Sequence, residues 1–266
     1  MLAAALNLNP ERIVVTELFG AIGSPQKTTE YIRMLKGIEE NPRIRALVID
    51  IDSPGGSAGP SEYIFRSVAK VAKKKPVIAF VRGMGASGGY MVACGATKIL
   101  AVPMALVGSI GVISMRPMLY EALDKIGVRM EITKSGRLKD MFSSFREATD
   151  EERQKEQQLL DGVYDRFVEM VAEARKMPVD RVRELATGEI FTAIQAKENG
   201  LIDDLGDLDT AIDLAQSLGN ISERRVTYMK PHRGLRDRLM NNAAATFADS
   251  FAMALETRLR ERRIDL

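Results

Sequence analysis

Ser87 lies in the run Gly85-Ala86-Ser87-Gly88-Gly89-Tyr90, and its setting suits a nucleophile. A serine at a strand-to-helix turn holds its hydroxyl at a helix N-terminus, where backbone N–H groups and the helix dipole favour developing negative charge. The plainer reading is an N-cap serine. Glycines on both sides count against a cap alone, because they weaken the first helical turn. They make sense if bulk must be kept away from the Ser87 Oγ. A second segment, Asp52-Ser53-Pro54-Gly55-Gly56, follows an apolar run. As structure it is a tight turn. As chemistry, Gly55 or Gly56 brings a backbone N–H beside a substrate carbonyl, since glycine lets the main chain approach closely. A third segment runs from Lys134 to Asp140 and holds Lys139. A lysine in such a polar loop is ordinarily solvated, and nothing in the segment by itself selects it.

The rest of the composition narrows the chemistry. There is one histidine, His232, and one cysteine, Cys94. Most hydrolytic enzymes use histidine as base or metal ligand; one His and one Cys leave no N/S ligand cluster, so no metal is expected. Dinucleotide and phosphate-loop fingerprints are missing, and no cofactor is expected. A net charge of +2 on 266 residues gives no reason to expect nucleic acid as a partner. One cysteine excludes an internal disulfide and fits a reducing compartment. No run reaches the roughly 18 apolar residues of a membrane helix. The N-terminal stretch has no basic region ahead of its short apolar run, so it does not read as a signal peptide. The expected location is cytoplasmic or membrane-associated, without a spanning segment in this chain.

Several elements must position these residues. Residues 12–19 read as a strand. Residues 28–40 read as a helix capped by Thr28 or Thr29, with Tyr31, Met34, Leu35 and Ile38 on one face. Residues 44–51 form a nearly continuous apolar run, as in a strand buried on both faces. A helix over 61–72, a strand over 76–81, a loop over 82–86, a short helix from Ser87 and a strand over 98–102 follow. This rhythm implies an α/β fold with a parallel sheet and helical crossovers. Residues 118–126 read as a helix and 128–133 as a strand. Residues 149–177 read as a long helix with Leu159, Leu160, Val163, Phe167, Met170 and Val171 on one face. Pro178 opens the next helix, and Asn199-Gly200 ends another. The composition turns basic after about residue 222, giving a main body over 1–222 and a basic extension over 223–266.

Taken in order, strand-DSPGG, GASGGY, VGSIGVI and KSG-x-x-KD before a charged helix resemble the signal peptide peptidase A family over roughly residues 14–213. The resemblance implies a crotonase-like fold, shared with the proteolytic subunit of Clp protease, here with a C-terminal helical extension. It implies a serine protease with a Ser-Lys dyad that cuts remnant signal peptides and other unfolded hydrophobic peptides. Ser87 falls on the nucleophile, Lys139 on the general base and Ser109 on the serine that orients the lysine. Gly88, with Gly55 or Gly56, falls on the oxyanion hole. The family's single-domain bacterial members place nucleophile and base in one chain and assemble into a ring, which implies a cyclic homo-oligomer, an octamer by analogy. The membrane anchor usual before the family's first strand is not seen in this sequence. A free lysine has a pKa near 10.4, so a lysine base must be buried or set beside hydroxyls instead of carboxylates. Met84, Met91, Leu106 and Ile110 surround Ser87 and Ser109 in sequence, and shallow apolar pockets are expected from them.

Three other readings compete. Gly85-Ala86-Ser87-Gly88-Gly89 also fits the nucleophile elbow of α/β-hydrolases. That site needs a histidine, and His232 lies among basic residues that oppose its acting as a base. A crotonase-type acyl-CoA enzyme shares the fold but typically uses paired acidic residues. A non-catalytic scaffold that binds hydrophobic peptides would have no use for both Ser87 and Lys139. In the extension, Phe247, Phe251, Leu255 and Leu259 recur every four residues beside Arg258, Arg260, Arg262 and Arg263. This stripe is expected to pack on its own domain or a neighbouring subunit; the alternative is a basic amphipathic helix that makes peripheral contact with an anionic membrane.

Overall fold

The apolar run at residues 44–51 needs cover on both faces, and the fold supplies it. The computed structural model describes residues 11–231. In chain order the elements are β1 (Arg12–Phe19), α1 (Pro25–Glu40), β2 (Ile44–Ser53), α2 (Ala58–Ala72), β3 (Val77–Ala86), α3 (Gly88–Ala93), β4 (Lys98–Ala101), β5 (Leu106–Gly108), α4 (Tyr120–Lys125), α5 (Asp150–Arg175), α6 (Val179–Leu185), β6 (Ile190–Thr192), α7 (Ala193–Glu198), β7 (Asp204–Leu205), α8 (Leu208–Leu218) and β8 (Val226–Tyr228). The sheet runs β6-β5-β3-β2-β1-β8, with β4 beside β3 and β7 beside β4. Every pairing is parallel except β5–β6. The parallel α/β architecture expected from the strand-helix rhythm is therefore present.

Alternate residues of β1, β2 and β3 feed two cores. Val14, Leu18, Leu47, Ile49, Ile51 and Val81 pack with residues of α1, α2, α3 and α5. Ile13, Val15, Val48, Ile78 and Phe80 pack with Ala211, Ile212 and Ala215 of α8. Each such aliphatic side chain, fully buried, contributes about 1.5–3 kcal/mol, which fixes the register of the central strands.

The elements differ from the sequence reading in several places. Helix α1 starts at Pro25, capped by the Ser24 hydroxyl, which accepts from Lys27 N–H at 3.4 Å. Thr28 and Thr29 instead bond back to the carbonyls of Ser24 and Pro25. The stretch expected as a loop over 82–86 continues β3, because Met84–Ala86 gain a new partner in β5 just where β4 ends. Residues 128–133 form no strand, and Val128, Met130 and Ile132 are exposed. Finally, α5 buries Phe167, Met170 and Val171 but leaves Leu159 and Val163 largely exposed. Past residue 222, β8 pairs with β1 and Met229 N–H bonds to the Val15 carbonyl, so the folded body reaches beyond the composition shift. His232 and the stripe from Phe247 to Leu259 lie outside the described residues. No helix of the described residues is long and apolar enough to cross a membrane.

Candidate active site

The C-terminal ends of β2 and β3 lie side by side, with Ser53 opposite Gly85, and each chain turns there toward a helix. In open parallel sheets, ligand sites form at this end of the strands. The turn after β2 is locked from within. The fully buried Ser53 hydroxyl donates to the Gly20 carbonyl at 2.7 Å and accepts from Gly55 N–H at 3.1 Å. A parallel bridge then joins Ile22 to Gly56: Ile22 N–H bonds to the Gly55 carbonyl at 2.8 Å, and Ser57 N–H to the Ile22 carbonyl at 2.7 Å. In such a bridge the middle residue's own N–H points away from the partner. Gly55 N–H is thus committed to Ser53, and Gly56 N–H turns toward the other side. Only glycine fits at Gly56, where φ is +151° and an added Cβ would lie 1.9 Å from the Ile22 oxygen.

Ser87 occupies the turn after β3 with φ 50° and ψ −121°. A non-glycine residue at positive φ is strained, and such strain persists only where the surroundings over-determine it. Here Ser87 N–H bonds to the Gly108 carbonyl at 2.8 Å, and Met91 N–H bonds to the Ser87 carbonyl at 2.9 Å. The Ser87 hydroxyl makes no capping bond, so the cap reading does not account for this serine. Gly88 opens α3, where the first N–H groups have no acceptor within the helix. An added Cβ on Gly88 would meet Ser61 Oγ at 2.2 Å and Gly56 N at 3.3 Å. The backbones of Gly56 and Gly88 therefore sit against each other beside Ser87.

Ser87, Gly56, Gly88 and Ser109 line one cleft of about 650 Å³. Ser109 is also at positive φ, 50°, and its N–H bonds to the Glu189 carbonyl at 2.7 Å. Of the four apolar residues expected around the site, Met91 lines the cleft, whereas Ile110 is fully buried in the core. The sequence reading missed the far wall: Val112, Ile113, Tyr164 and Phe167. Phe167 was legible only as part of the apolar stripe of α5, and Thr187-Gly188, also on the wall, carries no signal in sequence.

Lys139 is placed elsewhere. It is exposed on the segment between β5 and α5 and does not line the cleft. Its N–H closes a turn on the Gly136 carbonyl at 3.0 Å, and its amine has no hydrogen bond or ion pair among the described residues. A single chain therefore brings together Ser87, Gly56, Gly88 and Ser109, but not Lys139.

The sequence matches the family model of peptidase family S49 over residues 69–222, a stretch that holds Ser87, Ser109 and Lys139. The chain belongs to peptidase family S49. A Synechocystis sp. protein is 38% identical over 216 residues, covering 81% of this chain and 77% of its own. A Methanocaldococcus jannaschii protein is 35% identical over 196 residues, covering 74% of this chain and 63% of its own. The chloroplastic serine protease SPPA of Arabidopsis thaliana is 34% identical over 213 residues, 79% of this chain but 32% of that protein. This S49 chain thus spans less than two thirds of some curated relatives. In fold it resembles a mutant of the 1510-N membrane-bound stomatin-specific protease, with a TM-score of 0.55 at 19% identity, over 84% of this chain and 99% of that one.

Proposed function

We propose that this S49 chain is a serine endopeptidase with a Ser-Lys dyad, acting on unfolded hydrophobic peptides such as remnant signal peptides. The observation that carries the reading is Ser87: a strained turn, a hydroxyl with no cap to serve, and a cleft shared with Gly56 and Gly88. Lys139 Nζ takes the Ser87 proton as Oγ attacks the peptide carbonyl. Gly56 and Gly88 N–H groups stabilise the oxyanion. The protonated amine then gives its proton to the leaving amide nitrogen, and an acyl-enzyme forms. Water, deprotonated by the same amine, releases the acid product. Ser109 orients the amine through its hydroxyl, which does not stabilise the ammonium as a carboxylate would. The apolar wall of Met91, Val112, Ile113 and Phe167 suits Leu, Ala or Phe side chains near the scissile bond.

Because Lys139 is exposed and does not line the cleft of its own chain, the base is read as reaching the Ser87 of a neighbouring copy. This departs from the single-chain dyad that the family resemblance implies. Supporting it, the Lys139-bearing segment also exposes Met118, Met130, Ile132, Phe142 and Phe145, an apolar surface of the kind that marks partner contacts. Family membership favours this reading over an acyl-CoA enzyme. The test is hydrolysis of an unfolded Leu- and Ala-rich peptide by wild type, Ser87→Ala and Lys139→Ala. Loss in both variants supports the dyad, and full activity in Lys139→Ala refutes it.

A further inference from the structure

Asp140 follows Lys139 directly. A carboxylate that paired with the base would hold it as an ammonium and unable to accept a proton. The structure engages that carboxylate elsewhere. Asp140 Oδ1 accepts from Lys134 Nζ at 2.5 Å, and Oδ2 accepts from Arg146 Nε at 2.8 Å. The same guanidinium also donates through Nη2 to the Asp140 carbonyl at 3.3 Å. Its other side grips Glu152, with Nη1 to Oε2 at 2.8 Å and Nη2 to Oε1 at 2.5 Å. Glu152 is 2% exposed and belongs to the cap of α5. Thr149 N–H donates to its Oε2 at 2.9 Å, while its own N–H donates to Thr149 Oγ1 at 3.2 Å. One guanidinium thus fastens the Lys139 loop to the first turn of a 26-residue helix.

The pattern extends to every carboxylate of residues 137–153. Asp140 is held by Lys134 and Arg146, Glu152 by Arg146, Glu151 by Arg137, and Glu147 and Asp150 by Arg153. Each has a cationic partner. Among the described residues, Lys139 is the one cation there without an anionic one.

We propose that Arg146 is the positioning residue of the base: it ties the Lys139 loop to α5 and, with Lys134, keeps the Asp140 carboxylate from pairing with Lys139. The proposal rests on the reading of Lys139 as base. The test is the pH dependence of kcat/KM for peptide hydrolysis. In Arg146→Met, Asp140 keeps its Lys134 partner but loses the guanidinium on Oδ2 and the tie to α5. The carboxylate so loosened should move the acidic limb upward by about one pH unit, a tenfold loss at neutral pH that is recovered at high pH. Adding Asp140→Asn to Arg146→Met should return the limb to its wild-type position, because no carboxylate then remains to pair. Arg146→Lys, which keeps a cation beside Asp140, should hold the limb in place even if the helix junction loosens. An unshifted limb in Arg146→Met would overturn the proposal, and so would a loss that is equal at all pH values and unrelieved by Asp140→Asn. Lys139→Ala checks the underlying reading separately: if it stays active, the base is misassigned whatever Arg146→Met does.

Discussion

At the scale of single residues, the proposed site is two backbone donors and one hydroxyl at a strained turn. Gly88→Ala would force a Cβ to 2.2 Å from Ser61 Oγ and push α3 away from Gly56. We expect about a 10²–10³-fold loss in kcat, the cost of one oxyanion donor, with KM little changed; steady-state kinetics on a short peptide checks this. Cys94 gives a control on the core around α3. Burial pushes its thiol up to about 12, so the native protein should resist a disulfide reagent at pH 8 and react only on unfolding. Rapid native labelling would show that the helix under Ser87 opens. Ser87 was legible in sequence because glycine on both sides of a serine is hard to explain otherwise. The choice between Gly55 and Gly56 was not, because it depends on the Ser53 hydroxyl, which the chain brings back onto Gly55 N–H. Lys139 is proposed as the base only through family resemblance, since an exposed lysine with no ionic partner among the described residues looks like any other.

At the scale of elements, periodicity located the central strands because each buries both faces. It failed where pairing depends on distant chain. The end of β3 looks like a glycine-rich loop until β5 arrives beside it, and the alternating Val128, Met130 and Ile132 look like a strand although no ladder forms within the described chain. The start of α5 is stabilised by charge instead of apolar burial, and that makes it sensitive to acid. The Arg146 guanidinium, with the Thr149 N–H, holds the Glu152 carboxyl down at about 2, below its usual 4.5. A carboxylate with a depressed folded-state pKa adds stability that is present above the unfolded value and lost as pH falls through the folded one. Stability should therefore fall between about pH 4.5 and pH 2, and Glu152→Gln should lose less than wild type across that window. Urea midpoints at pH 7, 4 and 2.5 measure it; parallel curves for the two proteins would contradict the assignment.

At the scale of the whole molecule, the segment between β5 and α5 exposes much apolar surface for one chain to leave in water. We expect a cyclic homo-oligomer with inward-facing sites, the ring size of eight being borrowed from the family resemblance. Light scattering at micromolar concentration should show it, and Met130→Asp with Ile132→Asp should yield monomers without unfolding. If nucleophile and base come from different copies, inactive Ser87→Ala and Lys139→Ala rings, dissociated and reassembled together, should regain activity at about a quarter of the sites. A dyad within one chain would regain none. The central claim, that Ser87 is a nucleophile activated by Lys139, is tested most directly by intact mass after reaction with a fluorophosphonate. Wild type should take up one adduct per chain, at Ser87. Ser87→Ala should take up none, and Lys139→Ala should react about 10³-fold more slowly or worse, as for residues that act as a unit. Labelling of Lys139→Ala at the wild-type rate, or an adduct retained in Ser87→Ala, would contradict it.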